Sequence, residues 1–484
     1  MTNVSEDIQT LYRKSDALAL SALVRDKEVT ASELMECAIA ATEKLNPALN
    51  AVVNTNYADA RGRAAQCDST GLFAGVPFLA KDLGTRVTGL RTTNGSRFFQ
   101  RHAQPATEDN EVIRRLRKSG MIPFGNTNVP EYGESGTTEP KLYGPARNPW
   151  NPAYSPGGSS GGAASAVAAR IVPIAGASDG GGSTRQPASW CGLVGLMPSR
   201  GRVPTYPGVD LWYGGSALCV SRTVRDTAAY LDAVSGPCAG DSYIPPRSAE
   251  SFLQLSSQEP KRLRIGFSTS LPFGNKLDSE NATTLADTAR LLEGMGHNLE
   301  PYDLAFDIET CWRARARMRR VMAAFGVQAA EKTLGATLTH DDIEPFTRAY
   351  IEEGKAIDAV THAKDIEIVR YAGRDIAAEL VPFDAFLCPV FAGRTYRIGE
   401  WDTMYDTAPD PAKISTHAYL FPFNVSGLPA ISLPLHESHD CLPMGVQLVA
   451  RYGDEATLLQ IANALERHVR WDKRQPSIID CLAR

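Results

Sequence analysis

A chain of 484 residues exceeds the length at which one hydrophobic core usually stops growing, so it encodes two domains or one large α/β domain with insertions, and either can bury a deep site. Fifty Lys and Arg against 55 Asp and Glu leave a net charge of −5, which argues against a nucleic-acid partner held by its phosphates. No apolar run approaches the roughly 20 residues of a membrane span, no secretory-type leader is visible, and nine scattered cysteines lack Cys-x-x-Cys spacing; a cytoplasmic protein with reduced, mostly buried thiols is expected.

The first element with a defined start is a helix from Thr30, where Thr30-x-x-Glu33 forms a capping box. Leu34, Cys37, Ala38, Ala41 and Leu45 recur on one face, and Pro47 is expected to end the helix because it cannot donate to the ladder. Residues 1–68 are read as an N-terminal helical layer. Val76, Phe78 and Ala80 alternate along a short strand that delivers Lys81 to its end. Glu111 to Ser119 forms a helix with Val112, Ile113 and Leu116 inward and Gly120 as its stop, leading into an apolar strand from Met121 to Phe124. The same grammar repeats with a helix over Gly162 to Arg170 and a strand over Ile171 to Ala175. Beyond a linker at Pro245-Pro246, Arg262 to Phe267 reads as a strand and Asp278 to Arg370 is dominated by helical patterns that could cap a cleft. Strands at Ala385 to Val390, Ala430 to Leu433 and Met444 to Val449 complete the early sheet. A helix from Glu455 to His468 follows them, with Leu458, Leu459, Ala462 and Leu465 inward.

Two serine-bearing glycine clusters, Gly157-Gly158-Ser159-Ser160-Gly161-Gly162 and Asp179-Gly180-Gly181-Gly182-Ser183-Thr184-Arg185, lie one helix and one strand apart. Glycine lets successive main-chain N–H groups turn toward one point, which suits a nucleophile attacking a carbonyl. Amide hydrolysis needs an activated nucleophile, donors for the oxyanion and a proton for the leaving nitrogen. The residues present predict that Ser183 attacks, that Ser159 or its neighbour Ser160 relays protons, and that Lys81 in neutral form is the base. Gly180, Gly181, Gly182 and Ser183 would supply oxyanion donors, and Asp179 with Arg185 a supporting scaffold. A free lysine titrates near about 10.4, so this scheme requires Lys81 to be buried, and Asp82 to point to the opposite face of the strand. Residue chemistry alone does not separate Ser159 from Ser160 as the relay. No Gly-Lys-Ser or Gly-Lys-Thr follows either cluster, which argues against a phosphate loop. The histidines include no His-x-x-x-His, and His436 and His439 beside Asp440 read as loop residues, so no metal is expected.

The clusters, together with Lys81-Asp82, Gly75-Val76-Pro77-Phe78, Thr92-Thr93-Asn94-Gly95-Ser96, Gly125-Asn126-Thr127-Asn128 and Phe423-Asn424-Val425-Ser426-Gly427-Leu428-Pro429, resemble the amidase signature family over nearly the whole chain. The resemblance implies a single α/β amidase domain over 1–484, with a large mixed β-sheet covered by helices on both faces. Within it, 70–235 would be the signature core and 271–370 a helical insertion bordering the substrate cleft. It further implies hydrolysis of carboxylic amides other than peptides through a Ser-Ser-Lys triad, without metal or organic cofactor. Ser159, not Ser160, becomes the relay, following a cis peptide. Glu131-Tyr132-Gly133-Glu134-Ser135 should border the substrate, with the Gly133 carbonyl near the scissile group and Ser135 in contact. Thr184 and Met197 depart from the usual isoleucine and lysine. The third glycine, Gly182, and Pro198-Ser199-Arg200-Gly201-Arg202 look most like the aminohexanoate cyclic-dimer hydrolase branch, pointing to a small linear or cyclic amide.

The resemblance leaves two alternatives: a glutamine-hydrolysing subunit of a tRNA-dependent amidotransferase, and a catalytically silent binding protein on the same fold. A small-molecule amide is the expected partner, with no nucleic acid and no membrane; a homodimer is left open. Two features stay unassigned. Arg313, Arg315, Arg317, Arg319 and Arg320 read as a solvated basic face or as a site for a substrate carboxylate, and Cys311 as core or as pocket wall.

Overall fold

Four strands of this chain are buried at every position, as happens when both faces of a sheet are covered. The computed structural model describes residues 4–208, 215–271, 277–401 and 416–483. Its strands are β1 (Val52–Thr55), β2 (Pro77–Lys81), β3 (Ile122–Thr127), β4 (Ile174–Asp179), β5 (Val194–Met197), β6 (Ser216–Ser221), β7 (Arg264–Phe267), β8 (Asn298–Pro301), β9 (Ala385–Pro389), β10 (Ala430–Glu437) and β11 (Pro443–Ala450). They form one eleven-stranded sheet in the order β1-β3-β2-β4-β6-β5-β10-β11-β9-β7-β8. Pairing is parallel at β3-β2-β4 and β9-β7-β8 and antiparallel elsewhere. This is the expected mixed α/β sheet.

Local expectations held where amphipathicity and caps agreed. The helix Ala31–Leu49 starts at the Thr30 capping box, with Leu34, Cys37, Ala38, Ala41 and Leu45 all buried. Pro47 does not end it. Only one intrahelical donor is lost so near the C-terminus, and the stop comes at Asn50, which adopts the left-handed conformation while Asn46 caps the Ala51 and Val52 N–H groups. The helix Gly161–Ala168 is followed by β4 at Ile174, not by a strand over Ile171 to Ala175. Arg170 at φ +60 turns the chain so that the Ile171 N–H bonds back to Ala166, and the ladder begins only past Pro173, which has no N–H. Residues 1–68 also hold β1, antiparallel to β3 at one edge of the sheet. The largely helical stretch after residue 271 contributes β8 at the other edge.

Because β2 and β4 are parallel neighbours, their C-terminal residues Lys81 and Asp179 emerge on the same side of the sheet, where α/β folds build their sites. Among the described residues no helix is long and apolar enough to cross a membrane. Cys37, Cys191, Cys219, Cys311 and Cys388 are buried, and all nine thiols are free.

Candidate active site

Lys81 leaves the end of β2 into the protein interior, where only 2% of its surface is exposed. Its Nζ lies 2.9 Å from Ser159 Oγ, 3.0 Å from Ser178 Oγ and 3.2 Å from the Ser178 carbonyl oxygen. Burial lowers the Lys81 amine to about 7, against an opposing pull from the Asp179 carboxylate. Asp82 turns away: it accepts the Thr93 N–H at 2.8 Å and the Asn126 side chain at 3.1 Å, and burial raises it to about 7.

The two glycine clusters meet at this amine. The Gly158–Ser159 peptide is cis, and the Ser160 N–H donates to the Ser183 carbonyl at 3.2 Å, tying one loop to the other. Ser160 stands at the N-cap position of the helix Gly161–Ala168 without a side-chain cap bond, and its hydroxyl instead engages the Ser178 main chain, accepting from the N–H at 3.4 Å and donating to the carbonyl at 3.3 Å. Ser159 and Ser183 instead line a cavity of 440 Å³, together with Gly180, Gly181, Gly133 and Ser135. Gly133 has φ +73, and a Cβ there would fall 2.6 Å from Leu83 Cδ2 and 3.2 Å from Ser159 Oγ, so a larger residue would strain the backbone and crowd the serine. The Gly182 N–H is taken by Asp179 Oδ1 at 2.6 Å, which removes it from the expected set of oxyanion donors.

Asp179 and Arg185 form a fully buried pair: Arg185 Nε and Nη2 donate to the carboxylate at 2.9 and 3.0 Å. Burial alone would raise Asp179, yet the guanidinium and the surrounding donors hold it well below the usual carboxylate range. Two residues that local sequence patterns left unassigned complete the network. Asn424 donates to Asp179 Oδ1 at 2.9 Å and accepts from Arg185 at 2.7 Å, and Gln447 Oε1 accepts from Arg185 at 2.7 Å. A glutamine within the otherwise apolar β11 is the signal the sequence carries. Arg185→Ala would leave a buried carboxylate without its partner and is expected to destabilise the fold by about 3–5 kcal/mol, read as a lower urea midpoint.

The arginine run divides between solvent and interior: Arg313 is exposed, whereas Arg315 is buried. It lies on the helix Ile308–Leu334, where Arg313 pairs with Glu309, Arg317 with Asp365, Arg319 with Glu134 and Arg320 with Glu353. Arg315 and Arg319 line the cavity beside Trp312 and Phe421. Burial lowers Arg315 to about 9, with repulsion from Arg319 adding to the effect. Cys311 packs in a core cluster with Met318 and Phe421, and burial pushes its thiol up to about 12. His417 and Trp401, which sequence reasoning passed over, also line the cavity. His436 meets Thr288 and His439 meets Glu280, and among the described residues no group of three His, Cys, Asp or Glu side chains could hold a metal ion.

A profile of the Amidase family matches residues 33–459. The chain belongs to the amidase signature family. This amidase hydrolyses amide bonds, as its relatives do. It is 35% identical to the 6-aminohexanoate-cyclic-dimer hydrolase of Paenarthrobacter ureafaciens, over 96% of this chain and 97% of that protein. A solved structure of 6-aminohexanoate cyclic dimer hydrolase with substrate superposes at TM-score 0.92, with 34% identity, covering 96% of the amidase and 99% of that chain. A bacterial aryl acylamidase of the same family superposes at 0.86 with 28% identity, covering 97% and 98%.

Proposed function

We propose that the amidase cleaves a small linear or cyclic amide through an acyl-enzyme on Ser183, with Ser159 as proton relay and neutral Lys81 as base. The carrying observation is the environment of Lys81 Nζ. A neutral amine has two N–H groups and one lone pair; the Ser178 carbonyl can only accept, and the Ser178 hydroxyl can accept the second N–H. The lone pair then faces Ser159, 2.9 Å away. Lys81 takes the Ser159 proton as Ser159 takes that of Ser183, whose Oγ bonds to the carbonyl carbon. The tetrahedral oxyanion faces N–H groups of Gly180, Gly181 and Ser183; the proton returns through Ser159 to the leaving nitrogen, the C–N bond breaks, and water repeats the sequence to release the acid. The engagement of the Ser160 hydroxyl with main chain supports Ser159 as the relay.

The similarity to cyclic-dimer hydrolases, and a mostly apolar cavity walled by Trp312, Phe346, Tyr350 and Phe421, support an oligomethylene amide as substrate. The purified chain, without ATP or partner, is expected to hydrolyse cyclic oligoamides or linear alkyl amides faster than glutamine, by about tenfold or more in kcat/KM. A panel of cyclic oligoamides, linear primary amides, anilides and glutamine decides. Preference for glutamine would overturn the substrate assignment.

A further inference from the structure

We infer that Arg315 is a positioning residue for the oxyanion-binding loop, fixing the Gly180–Gly181 peptide from a helix that lies far away in sequence. The inference rests on the acyl-enzyme reading above and assigns a task to a side chain outside the triad.

Arg315 projects from the helix Ile308–Leu334 with 5% of its surface exposed, and its Nη2 donates to the Gly180 carbonyl oxygen. Its guanidinium lies over the Phe421 ring, 5.6 Å from the centroid, which supports the cation from the other direction. The approach is close. A Cβ built on Gly181 would stand 2.6 Å from Nη2, so residue 181 is small where the guanidinium meets the loop.

In a trans peptide the carbonyl and the following N–H point in opposite directions across one plane. Holding the Gly180 oxygen on Arg315 therefore sets the direction of the Gly181 N–H on the opposite edge. The next peptide is held as well, because the Gly182 N–H is bound to Asp179. Gly181 thus sits between two pins, one from Arg315 and one from the Asp179–Arg185 pair. Three consecutive glycines are otherwise the most freely rotating backbone a chain can have, and donors that must reorient during the reaction lose their advantage. Donation into the Gly180 carbonyl also polarises that amide and strengthens its N–H as a donor. Arg315 thereby acts on the transition state through main chain, without touching the triad.

The test uses the full-length protein, the best amide of the panel, and a fluorophosphonate probe whose phosphoryl oxygen occupies the same donors as Ser183 is labelled. Arg315→Met keeps the length and apolar bulk of the side chain. It is expected to lower kcat and the phosphonylation rate constant on the order of 10²-fold, with KM and the midpoint of the acid limb unchanged. Arg315→Lys, which keeps a donor, is expected to recover part of the loss. Arg315→Leu, which removes the guanidinium with a shorter apolar side chain, is expected to show the same kcat-dominated loss and serves if Arg315→Met does not fold. Wild-type phosphonylation in Arg315→Met would overturn the inference. So would a rise in KM alone, which would make Arg315 a substrate contact, or a moved acid limb, which would place it on the base. Ser183→Ala separates the two claims: if that variant still turns over, the acyl-enzyme reading fails, whereas an inactive Ser183→Ala beside a fully active Arg315→Met defeats only the role of Arg315.

Discussion

Ser183→Ala is expected to lower amide turnover by at least about 10⁴-fold while leaving the fold intact. The size follows from the chemistry proposed: without Oγ there is no covalent intermediate, and the oxyanion donors with substrate binding supply only residual acceleration. Ser183 is half-buried at the cavity, and its main-chain carbonyl, not its side chain, carries the bond from Ser160. Removing one oxygen should therefore move the urea midpoint little. Peptide mapping after fluorophosphonate treatment checks the assignment independently: the label belongs on Ser183 and disappears in the variant. Label on another serine, or turnover within tenfold of wild type, would refute the nucleophile.

Activity is expected to fall tenfold per pH unit below about 7 and to level off above it, because only neutral Lys81 can accept the Ser159 proton. The sign follows from burial, which penalises the charged ammonium and brings the amine down from the ordinary lysine range. An unshifted lysine near about 10.4 would instead leave the rate still rising at pH 9. Burial also raises to about 7 the carboxyls of Asp82, next to Lys81, and Glu131, two residues before Gly133, so the limb needs assigning. In kcat/KM profiles from about pH 5 to about pH 9, Asp82→Asn and Glu131→Gln should leave its midpoint in place. Lys81→Met should abolish activity by about 10⁴-fold at every pH. A midpoint that moves with either carboxyl would remove Lys81 from the role of base.

Much of the candidate site was legible locally. The capping box at Thr30, the alternation before Lys81 and the two glycine clusters are patterns whose physics acts over a few residues; Lys81 stands at the end of β2, and Ser159 and Ser183 stand in the turns just before two helices. Expectations slipped where two local rules competed. Pro47 suits a helix stop, yet its missing donor falls in the last turn, and the apolar Ile171 and Val172 suit a strand, yet they lie on the turn out of a helix. The Gly182 N–H looks like a free oxyanion donor in the sequence, because no local pattern shows that the Asp179 carboxylate, three residues earlier, accepts it.

By itself the sequence determined which segments could be strands and helices, where the backbone had to be glycine, and that a lysine and two serines stood available for amide chemistry. Only the tertiary structure decided which groups meet. Parallel pairing of β2 with β4 brings Lys81 onto the Ser178 carbonyl and hydroxyl, the return of late strands and helices delivers Asn424 and Gln447 to the Asp179–Arg185 pair, and the long cavity helix sets Arg315 on Gly180. The physical reason is that periodicity and capping are fixed by neighbours along the chain. Contacts between Gly180 and Arg315, 135 residues apart, or between Arg185 and Gln447, 262 apart, depend on strand order and helix docking, which no short pattern encodes.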